Sequence, residues 1–212
     1  MIPLLKKQML HFRIFVVEQG DDEHLNRGKL RNIGFVEAMK VFPFNCVVFH
    51  DFDLVPENDQ ILYECDSSPA HLSVAVSSLN YKLPYNTIFG GVEMFKSEDF
   101  RKINGFPNSF WAWGSEDDNL YQRLKPNGFF LHRPPAKFAR YKMIVHQKDH
   151  EATLFNFTVR MAFFKKSLAF LKEDGLNSLT YSLIWFRKRP LYNHILANVE
   201  RAKSKTFSGL TL

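Results

Sequence analysis

The chain has 212 residues and a mass of 24.8 kDa, with hydrophobic residues at 45% and charged residues at 24%. That supply of apolar side chains builds one sizeable core and excludes a disordered tail or a coiled coil. Twenty-eight Lys and Arg against 22 Asp and Glu leave a net charge of +6, which favours an anionic partner. The basic residues are scattered, as Lys6-Lys7, Lys165-Lys166 and Arg187-Lys188-Arg189, so they read as solvated faces and no nucleic acid is expected as a partner.

Phe occurs 22 times and aromatics reach 15%, which predicts an aromatic interior. No run of about 18 apolar residues marks a membrane span, and the opening MIPLLKKQMLHF lacks a continuous apolar stretch followed by a small-residue cleavage site. Two cysteines, Cys46 and Cys65, leave open a pair of buried thiols or a single bridge. Asn156-Phe157-Thr158 is a glycosylation sequon that matters only in a secretory compartment.

In chain order, Phe12 to Val17 reads as a short buried strand ending in the polar turn Glu18 to Asp22. A helix follows, capped by Asn26, with Leu30, Ile33, Gly34, Ala38 and Val41 at helical spacing up to Phe42-Pro43. Cys46-Val47-Val48-Phe49 reads as an interior strand covered on both faces. Strand, helix, strand argues for an open, mostly parallel α/β sheet, in which ligands bind beyond the carboxyl ends of strands. Residues 72–76 and 87–95 read as further strands, 97–103 as a short helix, 115–124 as a helix capped by Ser115, and 160–172 as a last helix.

The interior strand delivers its end into His50-Asp51-Phe52-Asp53. Carboxylates at i and i+2 point to one side of an extended segment, which suits a hard divalent cation shared with substrate phosphates; equally, such a pair can simply start a turn. Glu116-Asp117-Asp118 follows an aromatic stretch, Phe110-Trp111-Ala112-Trp113. Apolar walls raise a carboxylate's proton affinity toward that of a general base, and a ring face can hold a sugar; the plainer reading is acids in the first turn of a helix. Met143 and His146 are three apart, which by itself reads as packing. Asn26-Arg27 can meet a phosphate, and Gly90-Gly91 lets a ligand approach the backbone.

Taken together in order, Asn26-Arg27-Gly28-Lys29-Leu30, Phe49 to Asp59, Leu83-Pro84-Tyr85, Phe89-Gly90-Gly91-Val92, Asn104 to Asn108, Trp111 to Asp118 and Gly175 to Tyr181 resemble the animal β-1,4-galactosyltransferases and their invertebrate β-1,4-N-acetylgalactosaminyltransferase relatives. The resemblance implies a GT-A (Rossmann-like) α/β fold spanning residues 1–212 as one partial catalytic domain. In it the family's anchor, stem and first nucleotide-binding strand are absent. It also implies a Golgi membrane enzyme with a lumenal catalytic domain, reaching the membrane only through an anchor that this chain does not include. The reaction implied is a Mn²⁺-dependent, inverting transfer from a UDP-sugar to the 4-hydroxyl of a terminal N-acetylglucosamine on a glycan. By family position, Asp53, Met143 and His146 hold the metal, and Asp117 with Glu116 does the catalytic work. Arg27, Asp51, Asp53, Ile88, Gly91 and Trp113 would line the donor, and Tyr85, Trp113, Asp117, Asp118 and Arg160 the acceptor. Cys46 and Cys65 coincide with a family disulfide, and Asn156 becomes a glycosylation candidate. Ile88 stands where the galactosyltransferases of the family carry Tyr, so the pocket should admit an N-acetyl group at donor C2. The sequence therefore favours transfer of N-acetylgalactosamine from UDP-GalNAc, with UDP-galactose as the alternative and a non-catalytic sugar-binding relative as the reading of a different class.

Overall fold

The longest described helix, α2 (Arg27–Val41), begins where Asn26 places its side-chain oxygen 2.9 Å from the Lys29 amide, satisfying one of the amides that a helix start leaves without a partner. Its buried face carries Ile33, Phe35 and Ala38 but also Lys29, Asn32 and Glu37. The polar groups there are spoken for. Asn32 donates to the Phe106 carbonyl at 2.8 Å and accepts from the Phe106 amide at 3.0 Å, and Lys29 reaches the Val199 carbonyl. Buried polar atoms that are bonded in this way fix a register that apolar contact alone would leave loose.

The computed structural model describes residues 1–145 and 157–201. Around α2 the chain runs α1 (Ile2–Lys7), β1 (Phe15–Gln19), β2 (Cys46–His50), β3 (Leu54–Pro56), β4 (Ala70–His71), β5 (Ala75–Val76), β6 (Val92–Lys96), α3 (Ser97–Lys102), α4 (Glu116–Gln122), β7 (Arg140–Met143), α5 (Phe157–Ser167), β8 (Ser182–Lys188) and β9 (Asn193–Asn198). The strands form three sheets of three, ordered β1-β9-β8, β2-β6-β4 and β3-β7-β5.

The α/β class holds, but the expected mostly parallel sheet is corrected. Among the named strands β1 with β9 and β5 with β7 run parallel, whereas β2 with β6, β4 with β6, β3 with β7 and β8 with β9 run antiparallel. The order strand, helix, strand from β1 through α2 to β2 is present, yet β1 and β2 belong to different sheets and each finds a partner from far along the chain. β2 also sits at the edge of its sheet rather than in its interior. Its apolar run is explained by the cover on both faces: Val47 and Phe49 pack into one core cluster, Cys46 and Val48 against another.

Several predicted boundaries move. The first strand starts at Phe15, and residues 72–76 and 87–95 form strands only at 75–76 and 92–95; the chain bends at Gly91, and the Ser73 side chain bonds the Gly90 carbonyl outside any ladder. The helix at 115–124 spans Glu116–Gln122. Ser115 makes no capping bond and has a left-handed backbone, φ 74°. The last helix begins earlier, at Phe157, and passes into a 3-10 turn at Leu168–Phe170. The β8–β9 hairpin has no counterpart in the sequence reading.

The aromatic interior is present. Phe35, Phe49, Phe89, Phe95, Phe100 and Phe106 form one buried cluster, with edge-on pairs such as Phe49 and Phe106 at 5.2 Å and Phe35 and Phe100 at 4.8 Å, the geometry that ring quadrupoles favour. A second cluster gathers Leu54, Tyr63, Val76, Val92, Met94 and Tyr141. Cys46 and Cys65 form a disulfide with Cα atoms 5.6 Å apart, tying the start of β2 to the loop before β4.

Candidate active site

The pairing of β2 with β6 sets the first half of the site. Phe49 lies opposite Glu93 and His50 opposite Val92, and beyond the last pair the Asp51 amide donates to the Gly91 carbonyl at 2.8 Å. The Asp51 to Asp53 segment therefore leaves its strand alongside Gly90-Gly91. Pairing of β3 with β7 sets the second half: Leu54 lies opposite Met143, and the Ile144 amide donates to the Asp53 carbonyl at 2.7 Å. Buried Asp53, just before β3, and half-buried Met143, the last residue of β7, are thus brought to the same end of that strand pair. His146 and Asn156 lie outside the described residues.

Asp51 faces cations of the protein itself. One Arg27 Nη2 donates to both of its carboxylate oxygens at 2.8 and 2.9 Å, and Arg31 Nη2 donates at 2.6 Å. Burial pushes the Asp51 carboxyl up, but Arg31 and Arg27 outweigh it and hold the group below the usual carboxylate range. The paired-carboxylate reading of Asp51 and Asp53 is therefore corrected: Asp53 is the member beside Met143, while Asp51 anchors a charge network.

That network continues. Arg27 Nη1 lies 3.1 Å from Glu116 Oε1, and Arg31 Nη1 lies 3.0 Å from Glu93 Oε1. Arg27 thus spans from the exit of β2 to the start of α4. Glu93 is fully buried, its second oxygen has no hydrogen-bond partner, and burial raises its carboxyl to about 8 against the pull of Arg31. Arg31 and Glu93 are site-lining residues that the sequence reading missed. Their one signal was an acid inside the otherwise apolar start of a strand, Val92-Glu93-Met94-Phe95.

Asp117 meets the same centre from above. A Cβ placed on Gly90 would lie 2.4 Å from Asp117 Oδ2, so glycine is what lets this carboxylate approach the 90–91 backbone. Burial, followed by repulsion from Glu116 and Asp118, raises the Asp117 carboxyl to about 7, with Arg27 working against the shift. A group poised there can take a proton near neutrality. Tyr85 donates its hydroxyl to Asp118 Oδ1 at 3.0 Å, and burial together with Asp117 and Asp118 pushes the phenol up and keeps it protonated.

Trp113 stands on a loop with three left-handed residues, Ala112 (φ 61°), Gly114 (φ 108°) and Ser115 (φ 74°), and its side chain is 52% exposed. Arg160 from α5 lies over the indole, its Cζ 5.1 Å from the ring centroid. Ile88 is half-buried, and its carbonyl accepts from Arg133 Nη2 at 2.8 Å. Of the predicted residues, Arg27, Asp51, Glu116, Asp117, Asp118, Tyr85 and Gly91 share one bonded neighbourhood. Asp53 and Met143 are brought beside it by the pairing of β3 with β7, and Trp113 with Arg160 forms a separate aromatic and cationic pair.

The donor set suits a divalent cation held lightly. Among the described residues no group of three or more His, Cys, Asp or Glu could hold an ion by itself. A carboxylate and a thioether at one end of the β3–β7 pair fit an ion completed by substrate oxygens.

Residues 1–66 match the family model described as the N-terminal region of glycosyl transferase group 7, and residues 70–147 match that described as the N-terminal domain of galactosyltransferase. The chain is 43% identical over 199 residues to β-1,4-galactosyltransferase 1 of Mus musculus, covering 93% of this chain and 49% of that protein. It is 44% identical over 181 residues to β-1,4-galactosyltransferase 5 of Sus scrofa, covering 85% of this chain and 46% of that one. The catalytic domain of Drosophila β-1,4-galactosyltransferase 7 in complex with xylobiose superimposes with a TM-score of 0.77 at 26% identity, covering 94% of this chain and 85% of that structure. A mutant of the same fly enzyme, in complex with manganese, UDP-Gal and xylobiose, gives 0.75 at 25% identity, with the same two coverages.

The fold is thus that of a GT-A glycosyltransferase, and the charged centre lies where its strands end. The chain belongs to the β-1,4-galactosyltransferase family. It spans about half the length of the curated relatives it matches. Those relatives are galactosyltransferases, and none of these matches singles out the N-acetylgalactosaminyltransferase branch that Ile88 suggested.

Proposed function

We propose that this chain is the catalytic part of a β-1,4-galactosyltransferase that moves galactose from UDP-galactose to a glycan ending in N-acetylglucosamine, with inversion and with Mn²⁺. The observation that carries this reading is the bridge made by Arg27, which bonds Asp51 beyond β2 and Glu116 at the start of α4, while Gly90 holds Asp117 against the same backbone. Manganese, when bound, would neutralise the charge that grows on the departing diphosphate. Asp53, Met143 and His146 are the residues that would hold it.

Asp117 takes the proton from the attacking hydroxyl, its raised proton affinity matching that role near neutrality. Tyr85 and Asp118, bonded to each other, orient the acceptor beside it. Arg27 and Arg31 keep Asp51 ionised and aimed, so that it can accept from donor hydroxyls without rearranging. Trp113, exposed and backed by Arg160, offers a ring face to the sugars and shields them from water. Family membership supports a lumenal Golgi location, with this chain as part of the catalytic domain of a membrane-anchored enzyme.

One observation favours a second donor. Ile88 replaces the bulkier phenol of galactosyltransferases in this family, and a hydrophobic pocket that gains the volume of a methyl or two discriminates by about 1–3 kcal/mol. Transfer of N-acetylgalactosamine from UDP-GalNAc is the reading this would favour. The test offers both nucleotide sugars with Mn²⁺ and an N-acetylglucosamine acceptor, to the wild type and to Ile88→Tyr. Efficient use of UDP-galactose supports the main reading. A preference for UDP-GalNAc that Ile88→Tyr reverses would establish the second. Glycan binding with no transfer from either donor would leave the sugar-binding relative instead.

A further inference from the structure

The loop of residues 86–91 carries Ile88 and the Gly90-Gly91 pair, yet residues 86–91 belong to no helix or strand. It is held from outside. Arg133 Nη2 donates to the Asn86 carbonyl at 2.9 Å and to the Ile88 carbonyl at 2.8 Å, and Arg133 Nε donates to His71 Nδ1 at 3.2 Å. With Nδ1 accepting, the tautomer of His71 is set: Nε2 carries the hydrogen and donates to the Gly90 carbonyl at 2.9 Å. Ser73 adds a second bond to that carbonyl, donating its hydroxyl at 3.0 Å while accepting from the Val92 amide at 2.9 Å.

Both anchors stand on rigid ground. His71 lies in β4, fully buried, and burial depresses its imidazole to about 4, so it stays neutral. The segment of Arg133 is stitched to β4 through an isolated bridge between Ala70 and His132, with the His71 amide on the His132 carbonyl and the His132 amide on the Pro69 carbonyl, both at 2.9 Å. A planar guanidinium that bonds two carbonyls of one loop and an imidazole of one strand leaves the loop little freedom to slide.

We propose that Arg133 and His71 are positioning residues for sugar transfer: they fix the distance at which Ile88 and Gly90 stand from Asp117, and so set which substituent at donor C2 the site accepts. This rests on the nucleotide-sugar reading given above. Neither residue is proposed to touch donor or acceptor. Gly90 is already in contact range of Asp117, so a shift of the loop of a few tenths of an ångström changes the room between the specificity residue and the base.

The test uses the whole chain with Arg133→Met and Arg133→Lys, and reads two quantities. The first is the ratio of kcat/KM for UDP-galactose and UDP-GalNAc. The second is amide hydrogen exchange of residues 86–91, which needs no activity. Arg133→Met should change the donor ratio at least about threefold and speed loop exchange about tenfold, with Arg133→Lys in between. Combined with Ile88→Tyr, the effect on donor ratio should be less than additive, since both act through one loop. A ratio and exchange left unchanged, with both donors slowed equally and the melting temperature lowered, would overturn the proposal, because a purely structural residue acts that way. If Arg133→Met does not fold, Arg133→Lys decides by the same readouts. If the wild type transfers neither sugar, the functional reading fails and exchange alone decides the clamp, with unaltered exchange sinking it.

Discussion

Asp117 carries three consequences at the scale of one residue. In the proposed role of base it must be ionised, so kcat/KM should rise as pH climbs through about 7 and level off above it. Asp117→Asn should cut kcat about 10²–10⁴-fold, the range that a positioned base contributes. Stability should move the other way. The folded-state value lies above the ordinary 3.8, so the folded chain holds a proton that the unfolded chain has released between those pH values, and the wild type loses stability as pH rises from about 4 toward 7. Asn has no such proton to lose. Thermal melts at pH 8 should therefore find Asp117→Asn more stable than wild type, and melts near pH 3 should find them alike; equal melting temperatures at pH 8 would refute the shift. Asp118→Asn removes one of the repelling charges and should slide the rising limb of the wild-type profile to lower pH, whatever it does to acceptor binding. At this scale the sequence was legible where chemistry is local. Asp117 and Asp118 stand in adjacent positions and announce themselves. The ion pair of Arg31 with Glu93 was not legible, because an arginine on a helix and a glutamate on a strand 62 positions away become partners only once the fold brings α2 beside β6.

Elements show the same division. The cap at Asn26 and the helix after it could be read from letters, since the capping bond reaches three residues along the chain. The start of α4 could not: Ser115 is left-handed and caps nothing, because the Trp113 loop arrives with three positive φ angles and turns the chain before the helix begins. One of those angles belongs to Ala112. A left-handed alanine costs about 1–2 kcal/mol, and glycine gives back about 0.5–1 kcal/mol in backbone entropy. Ala112→Gly should therefore raise stability by about 0.5–1 kcal/mol, measured as a shift in urea midpoint at constant slope; a lower midpoint would contradict it. The disulfide offers a second element-scale check. Closing 19 positions between Cys46 and Cys65 contributes about 3 kcal/mol in the loop-entropy account. Titration of the denatured, unreduced chain should find no free thiol, and Cys46→Ser should lower the unfolding free energy by about that amount.

For the whole molecule, the misreading of the sheet has one cause. Periodicity tells which segments are extended, and order in the chain tells which neighbours are near in sequence. Neither tells that β1 pairs with β9, or that β3 is joined by β7. The family resemblance supplied the fold that local pattern could not, and it also supplied the metal ligands proposed above, since Met143 comes near Asp53 only through that distant pairing. The same pairing has a kinetic corollary. Arg27, Asp51, Gly90 and Glu116 come from four separate stretches, and no single helix, strand or loop holds more than one of them. Loop closures of this length are slow and come late in folding. Regained turnover should thus lag behind regained helical signal during refolding, making catalysis itself the reporter of the last step to native structure.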